Sequence, residues 1–197
     1  MTDEKMLGQI PHWIASGGPY LLLPADSVNH WSAVAQFEHP RESLPASPLR
    51  NYDEACRIAA QHDIGLIELD DFSGIVLGGG DIPMATWLSR PNRIGADIVV
   101  ALEWGFDYKD VNLAAEVASL DDSAFKSIGV SFRLLNADLV LFAAAESPPP
   151  FCFGSLHCPI VPGTYRIASM QCEFGDYLVV RVHRLIATSV ARGSGTE

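Results

Sequence analysis

Ile64-Gly65-Leu66-Ile67-Glu68-Leu69-Asp70-Asp71-Phe72-Ser73-Gly74-Ile75-Val76-Leu77 is the stretch on which the fold turns. Two apolar runs flank an Asp-Asp pair that favours a tight turn, so the segment reads as a β-hairpin. Outward from it, Gly78-Gly79-Gly80-Asp81 forms a further turn, Met84 to Leu88 a third strand, and Asp97 to Trp104 a fourth. That fourth strand is expected to be central, because both of its faces are apolar at its start. Upstream, Tyr20-Leu21-Leu22-Leu23 between Pro19 and Pro24 is a short buried strand. Asp26 reads as the N-cap of a short amphipathic helix carrying Val28, Trp31, Val34 and Ala35, and Gln36 to Arg50, with three prolines, as a loop. Asn51 then caps a helix with Tyr52, Ala55, Cys56, Ala59 and Ala60 on one face, Cys56 toward the core.

Downstream, a helix is expected over 110–120, followed by antiparallel strands over 128–134, 139–144, 165–172 and 177–185. Hairpin turns fall at Ala137-Asp138 and Phe174-Gly175-Asp176, and a long loop runs from Ser147 to Gly163. Strands come as hairpins and do not alternate regularly with helices. The expected class is therefore α+β: a mostly antiparallel sheet, two to three short helices and a strand-rich C-terminal half. Residues 1–122 form an α+β region and 123–197 a β-rich one, within one domain or as two.

The chain has 197 residues, 48% hydrophobic and 19% charged, which excludes disordered and collagen-like classes. Its net charge of −11 disfavours nucleic acid and anionic membranes as partners and leaves a basic protein. The excess is concentrated: residues 51–122 hold four basic and fourteen acidic side chains. A solvated acidic face is the ordinary reading of such charge; a surface that attracts a basic protein is the sharper one. No apolar run reaches the ~18–20 residues of a membrane helix, and the first residues lack a secretory signal, so the expected location is the cytoplasm. Four sparse cysteines are then expected as free thiols.

Little in the chain spells out chemistry. The triple glycine at 78–80 lacks the following Lys-Ser/Thr and helix of a phosphate loop. Trp13, Trp31, Trp87 and Trp104 are first of all core residues, although tryptophan also anchors interfaces. Cys152, His157, Cys158 and Cys172 supply soft ligands of the kind zinc favours, but Cys152 and Cys158 lie six apart, too far for the usual clamp. A thiol enzyme would need Cys56, Cys152 or Cys158 beside His62, His157 or His183, a proximity that sequence does not establish. Asp70-Asp71 and Asp121-Asp122 read as turn and cap residues.

Four blocks in the first half carry a resemblance. His12-Trp13-Ile14-Ala15-Ser16-Gly17-Gly18-Pro19-Tyr20-Leu21-Leu22-Leu23-Pro24, Tyr52-Asp53-Glu54-Ala55-Cys56, Val76-Leu77-Gly78-Gly79-Gly80-Asp81-Ile82-Pro83-Met84-Ala85-Thr86-Trp87-Leu88 and Glu103-Trp104 together resemble the immunity protein 21 family, over about residues 12–108. Such proteins accompany bacterial polymorphic toxins and are thought to neutralise a cognate toxin by binding it. Met84-Ala85 and Ser89 depart from the family pattern. The resemblance supplies no catalytic residues. It implies a protein that is not an enzyme, takes no cofactor and binds a cognate toxin; the acidic charge of residues 51–122 adds the expectation that the toxin surface is basic and is blocked by occlusion. Asp70, Asp71, Asp81, Glu103, Trp104, Asp107 and Tyr108, an acidic and aromatic set, are the candidate contacts, and the oligomeric state stays open. The alternative is a zinc-binding or thiol-dependent small enzyme built on the C-terminal Cys and His residues.

Overall fold

The computed structural model describes residues 12–16, 18–31, 46–69, 72–78, 84–90, 93–104, 112–136, 138–145, 154–175 and 178–190, with 46–50, 104 and 190 as backbone. Their strands are β1 (Ile14–Ala15), β2 (Tyr20–Pro24), β3 (Ile64–Leu69), β4 (Phe72–Leu77), β5 (Met84–Ser89), β6 (Gly95–Trp104), β7 (Lys126–Leu134), β8 (Asp138–Ala143), β9 (Ser155–Pro159), β10 (Gly163–Phe174) and β11 (Leu178–Val190). Two helices, α1 (Ala46–Gln61) and α2 (Leu113–Ser119), complete an α+β fold. A six-stranded antiparallel sheet runs β1-β5-β6-β11-β10-β7, and a five-stranded one β3-β4-β2-β8-β9.

Side-chain alternation sorts the molecule into layers. Leu22, Ile64, Ile75 and Leu141 of the smaller sheet meet Ile98, Val100, Tyr165, Ile167 and Leu185 of the larger one in a central core. Leu21, Leu23, Ile67 and Val76 point the other way and pack under Ala55 and Ile58 of α1. On the far side, Val99, Ala168, Val180 and Val182 pack against Leu113 and Val117 of α2. Each sheet thus buries both faces, which explains apolar runs such as Ile98-Val99-Val100-Ala101, all fully buried in the central strand β6. The close seat of α1 depends on Gly78: a Cβ there would overlap the Ala59 backbone.

The β3–β4 hairpin forms as its sequence predicts, with Ile64 opposite Leu77 and Leu69 opposite Phe72, while Asp70 and Asp71 lie outside the described residues. Five expectations are corrected. Among the described residues the helix expected after Asp26 is a single 3-10 turn, Val28–His30, with Ser27 as its N-cap, and Val34 and Ala35 lie outside them. Trp31 leaves it extended because its indole is drawn into the core, where Nε1 donates to Ala144 O at 3.0 Å, and Asp26 instead accepts from Asn136 and Ser27. Helix α1 begins at Ala46 rather than Asn51, with Pro48 in a first turn that needs no N–H. Cys56 on it is only half-buried; Ile58, with Ala55, fills that face. Strands β7 and β8 do not pair; β7 joins β10 and β8 joins β2 and β9, so the chain changes sheets near residue 137. Part of the expected loop before Gly163 is strand β9, which hangs Cys158 into the central core.

Residue 122 is bridged repeatedly. Strand β2 pairs with β8, and β6 pairs with β11 from Leu178 opposite Trp104 to Ile186 opposite Gly95. Both sheets therefore draw strands from each side of that position.

Candidate binding cleft

Where the edge strands β3 and β7 approach each other, the two sheets part and leave an open cleft of about 750 Å³. Ile64 and Leu66 of β3 form one apolar wall, and Ile128 and Val130 of β7 the other. All four project from the inner faces of their strands, so the cleft continues the central core outward. The C-terminal turn of α1 overhangs it with Arg57, Ile58 and Gln61, followed by His62 and Asp63. Ser169 of β10 is its innermost polar side chain. The cleft is open and its lining mixed, with Arg57, Gln61, His62, Asp63 and Ser169 set among the apolar walls.

The charges around the cleft are already engaged. Arg57 donates to both carboxylate oxygens of Glu54 and to Gln61 at 2.8 Å. Arg181 Nη1 stands 2.5 Å from Asp63 Oδ1, a close ion pair without the alignment of a hydrogen bond, and the carboxylate is 49% exposed. Solvent screening keeps such a pair weak. Behind the cleft, Ser169 Oγ lies 2.7 Å from His183 Nδ1, the two residues being directly opposite on β10 and β11. Burial, reinforced by the Arg181 charge, lowers the His183 pKa to about 3, so the ring is neutral. Among the described residues its Nε2 has no hydrogen-bond partner. A general base works best with a pKa near the ambient pH. At about 3, His183 is a feeble proton acceptor for Ser169, and the pair acts as a cross-strand tie.

A second polar cluster lies on the opposite face of the larger sheet. Arg184, fully buried, donates to Asp97 Oδ1 at 2.8 Å and Oδ2 at 3.2 Å, to Asp122 Oδ1 at 2.6 Å, and to the Val117 and Leu120 carbonyls. Its guanidinium lies 3.9 Å above the Phe125 ring. Burial raises the Asp97 pKa despite Arg184. Burial also opposes ionisation of Asp122, but the Arg184 hydrogen bond and the charges of Arg90, Arg184 and Arg93 hold it below the usual carboxylate value. Arg90 and Arg93 reach Asp122 at 2.8 and 2.6 Å. Two of the fourteen acids of residues 51–122 are thus spent on internal architecture, fastening α2 to the sheet.

Of the seven candidate contacts, Glu103 and Trp104 lie among the described residues, side by side on β6. Glu103 is exposed on β6, opposite Val179, and Trp104, opposite Leu178, ends that strand. Asp70, Asp71, Asp81, Asp107 and Tyr108 lie outside the described residues, as does Cys152. His157 is exposed, 3.5 Å from Asp138. Cys158 is buried between the sheets, and burial pushes its thiol well up. Cys172 faces α2, its thiol pushed up to about 11 by burial. Cys158 and Cys172 therefore sit in different layers and do not converge on one ion; among the described residues no three His, Cys, Asp or Glu side chains do.

Sequence reasoning passed over Ser169, Arg181 and Asp63, and treated His183 only as a possible thiol activator. The signal for Arg184 was present: a cation inside Val182-His183-Arg184-Leu185-Ile186 needs a buried carboxylate, and Asp97 opens the one central apolar strand. No helix among the described residues is long and apolar enough to cross a membrane. No protein-family model, curated protein or solved structure matches the chain.

Proposed function

We propose that this protein is an immunity protein that binds a basic bacterial toxin and neutralises it by covering its active surface. The observation that carries the reading is the charge distribution: residues 51–122 hold ten more acidic than basic side chains. The four sequence blocks similar to immunity protein 21 support it. So does the exposure of Asp53, Asp63 and Glu68 on α1, the turn after it and β3, and of Glu103, Glu116 and Asp121 elsewhere. Toxins that act on nucleic acid need basic surfaces, and an acidic inhibitor meets such a surface without chemistry of its own. Long-range attraction raises the encounter rate, and buried contacts then hold the complex.

The test mixes the purified protein with the toxin domain encoded beside it. Toxin activity is expected to vanish at equimolar protein, and the association rate to fall steeply as salt rises toward about 0.5 M. Full toxin activity in excess protein sinks the reading; an association rate indifferent to salt sinks the steering part alone.

A further inference from the structure

We infer that the cleft is the seat of a missing strand: an extended, basic segment of a partner protein pairs with the outer edge of β3 and becomes the sixth strand of the five-stranded sheet. The two sheets face each other with β9 against β5 at one end and β4 and β3 against β7 at the other, so the cleft lies along the outer edge of β3. Among the described residues, Ile128, Val130 and Ser169 on the inner faces of β7 and β10 are half-buried, and they line the cleft. A strand added beside β3 would border this surface and cover the mouth of the cleft.

The four sheet edges differ in how they resist such addition. Strand β1 has two residues. Strand β9 ends in Pro159. Strand β7 carries exposed Lys126 and Arg133, a left-handed Gly129 at φ +73° and a register shift against β10. Charge, proline, bulges and shortness are the devices by which natural sheets blunt their edges. Strand β3, Ile64-Gly-Leu-Ile-Glu-Leu, has six residues without proline or a register shift, and Glu68 is its single charge. The backbone orientation is also defined. Gly78 N donates to Asp63 O at 2.9 Å, in line with the β3–β4 register, so alternation turns the N–H and C=O groups of Ile64, Leu66 and Glu68 away from β4. These are the groups an added strand pairs with over ~20 Å.

Side chains specify the occupant. Ile64, Leu66 and Glu68 share the cleft-facing side of β3, and Glu68 meets only the Ser73 hydroxyl among the described residues. An incoming strand with apolar residues toward Ile128 and Val130 and a cation toward Glu68 satisfies both features. Naming the partner as a basic protein rests on the toxin-binding reading above.

The experiment uses the full chain and a capped octapeptide of alternating lysine and valine, followed by residue-resolved hydrogen exchange. The expected result is saturable binding, with the Ile64, Leu66 and Glu68 amides exchanging at least tenfold more slowly. Glu68→Lys, whose fold is checked by circular dichroism, should weaken the peptide at least fivefold. A glutamate–valine octapeptide should bind at least fivefold more weakly. Protection at β1, β7 or β9, no protection at saturation, or equal binding of the acidic peptide overturns the proposal. So does a dimer in light scattering whose β3 amides are protected without peptide, since a second copy would then be the occupant. The peptide has no toxic activity, so failure here is separate from failure of the inhibition assay.

Discussion

At the scale of single residues, two buried polar side chains on adjacent positions of β11 make opposite demands. His183 must stay neutral, and its folded pKa of about 3 compares with about 6.5 in an unfolded chain. As pH falls below 6.5 the unfolded chain takes up a proton that the folded one refuses, so this contribution to stability is complete above pH 6.5 and erodes toward pH 3. Urea unfolding at pH 7, 6, 5 and 4 should show a loss approaching ~1.4 kcal/mol per pH unit from this group. His183→Leu, which cannot titrate, should have a visibly shallower slope; parallel curves would refute the assignment. Arg184 must instead stay charged and paired. Arg184→Ala leaves the Asp97 carboxylate, 3% exposed, without its cation, and should cost about 3–5 kcal/mol in thermal unfolding. Joint replacement by Asp97→Leu and Arg184→Met should cost clearly less, because no charge is then stranded. If the double variant is the less stable, the pair contributes more than the charge it neutralises.

At the scale of elements, each helix is held by its seat. Helix α2 has seven residues, too few to persist alone, and is held by Leu113, Val117 and the Arg184 bonds to its last carbonyls. Leu113→Ala should therefore destabilise by about 2–5 kcal/mol. Asp122→Asn, at a carboxylate 40% exposed, should cost below about 1 kcal/mol and speed amide exchange in α2 before the rest of the chain. Helix α1 depends on the close approach at Gly78, and Gly78→Val should cost about 1–3 kcal/mol or more in a chemical melt. The elements legible in the sequence were those whose local signals agreed: Leu21 to Leu23 between prolines, the β3–β4 hairpin, the doubly apolar β6, and the β10–β11 hairpin at Gly175, which has φ +58°. Those misread were decided by distant partners. Trp31 answers to Ala144 rather than to helical spacing, and β9 exists because β8 offers it an edge. The cleft was illegible for the same reason. It needs β3 and β7 side by side and Ser169 opposite His183, relations set by sheet order and register that no local pattern encodes.

At the scale of the whole molecule, the pairings β2–β8 and β6–β11 sew the two halves together. A fragment of residues 1–122 should therefore lack cooperative unfolding in calorimetry, since β6 and β2 each lose a flanking strand. A sharp transition in that fragment would show that the first half holds itself. So many distant pairings also place the folding of the intact chain in the slow range of milliseconds to seconds. One further consequence belongs to the ribosome. Strand β11 lies between β6 and β10, and 73 residues separate the end of β6 from its start. At ~5–20 residues per second, translation leaves β6 without that neighbour for about 4–15 s, long enough for a chaperone to bind. During those seconds an apolar strand destined for the centre of the larger sheet is an open edge, and the nascent chain depends on whatever keeps that edge from meeting its equal on the next polysome.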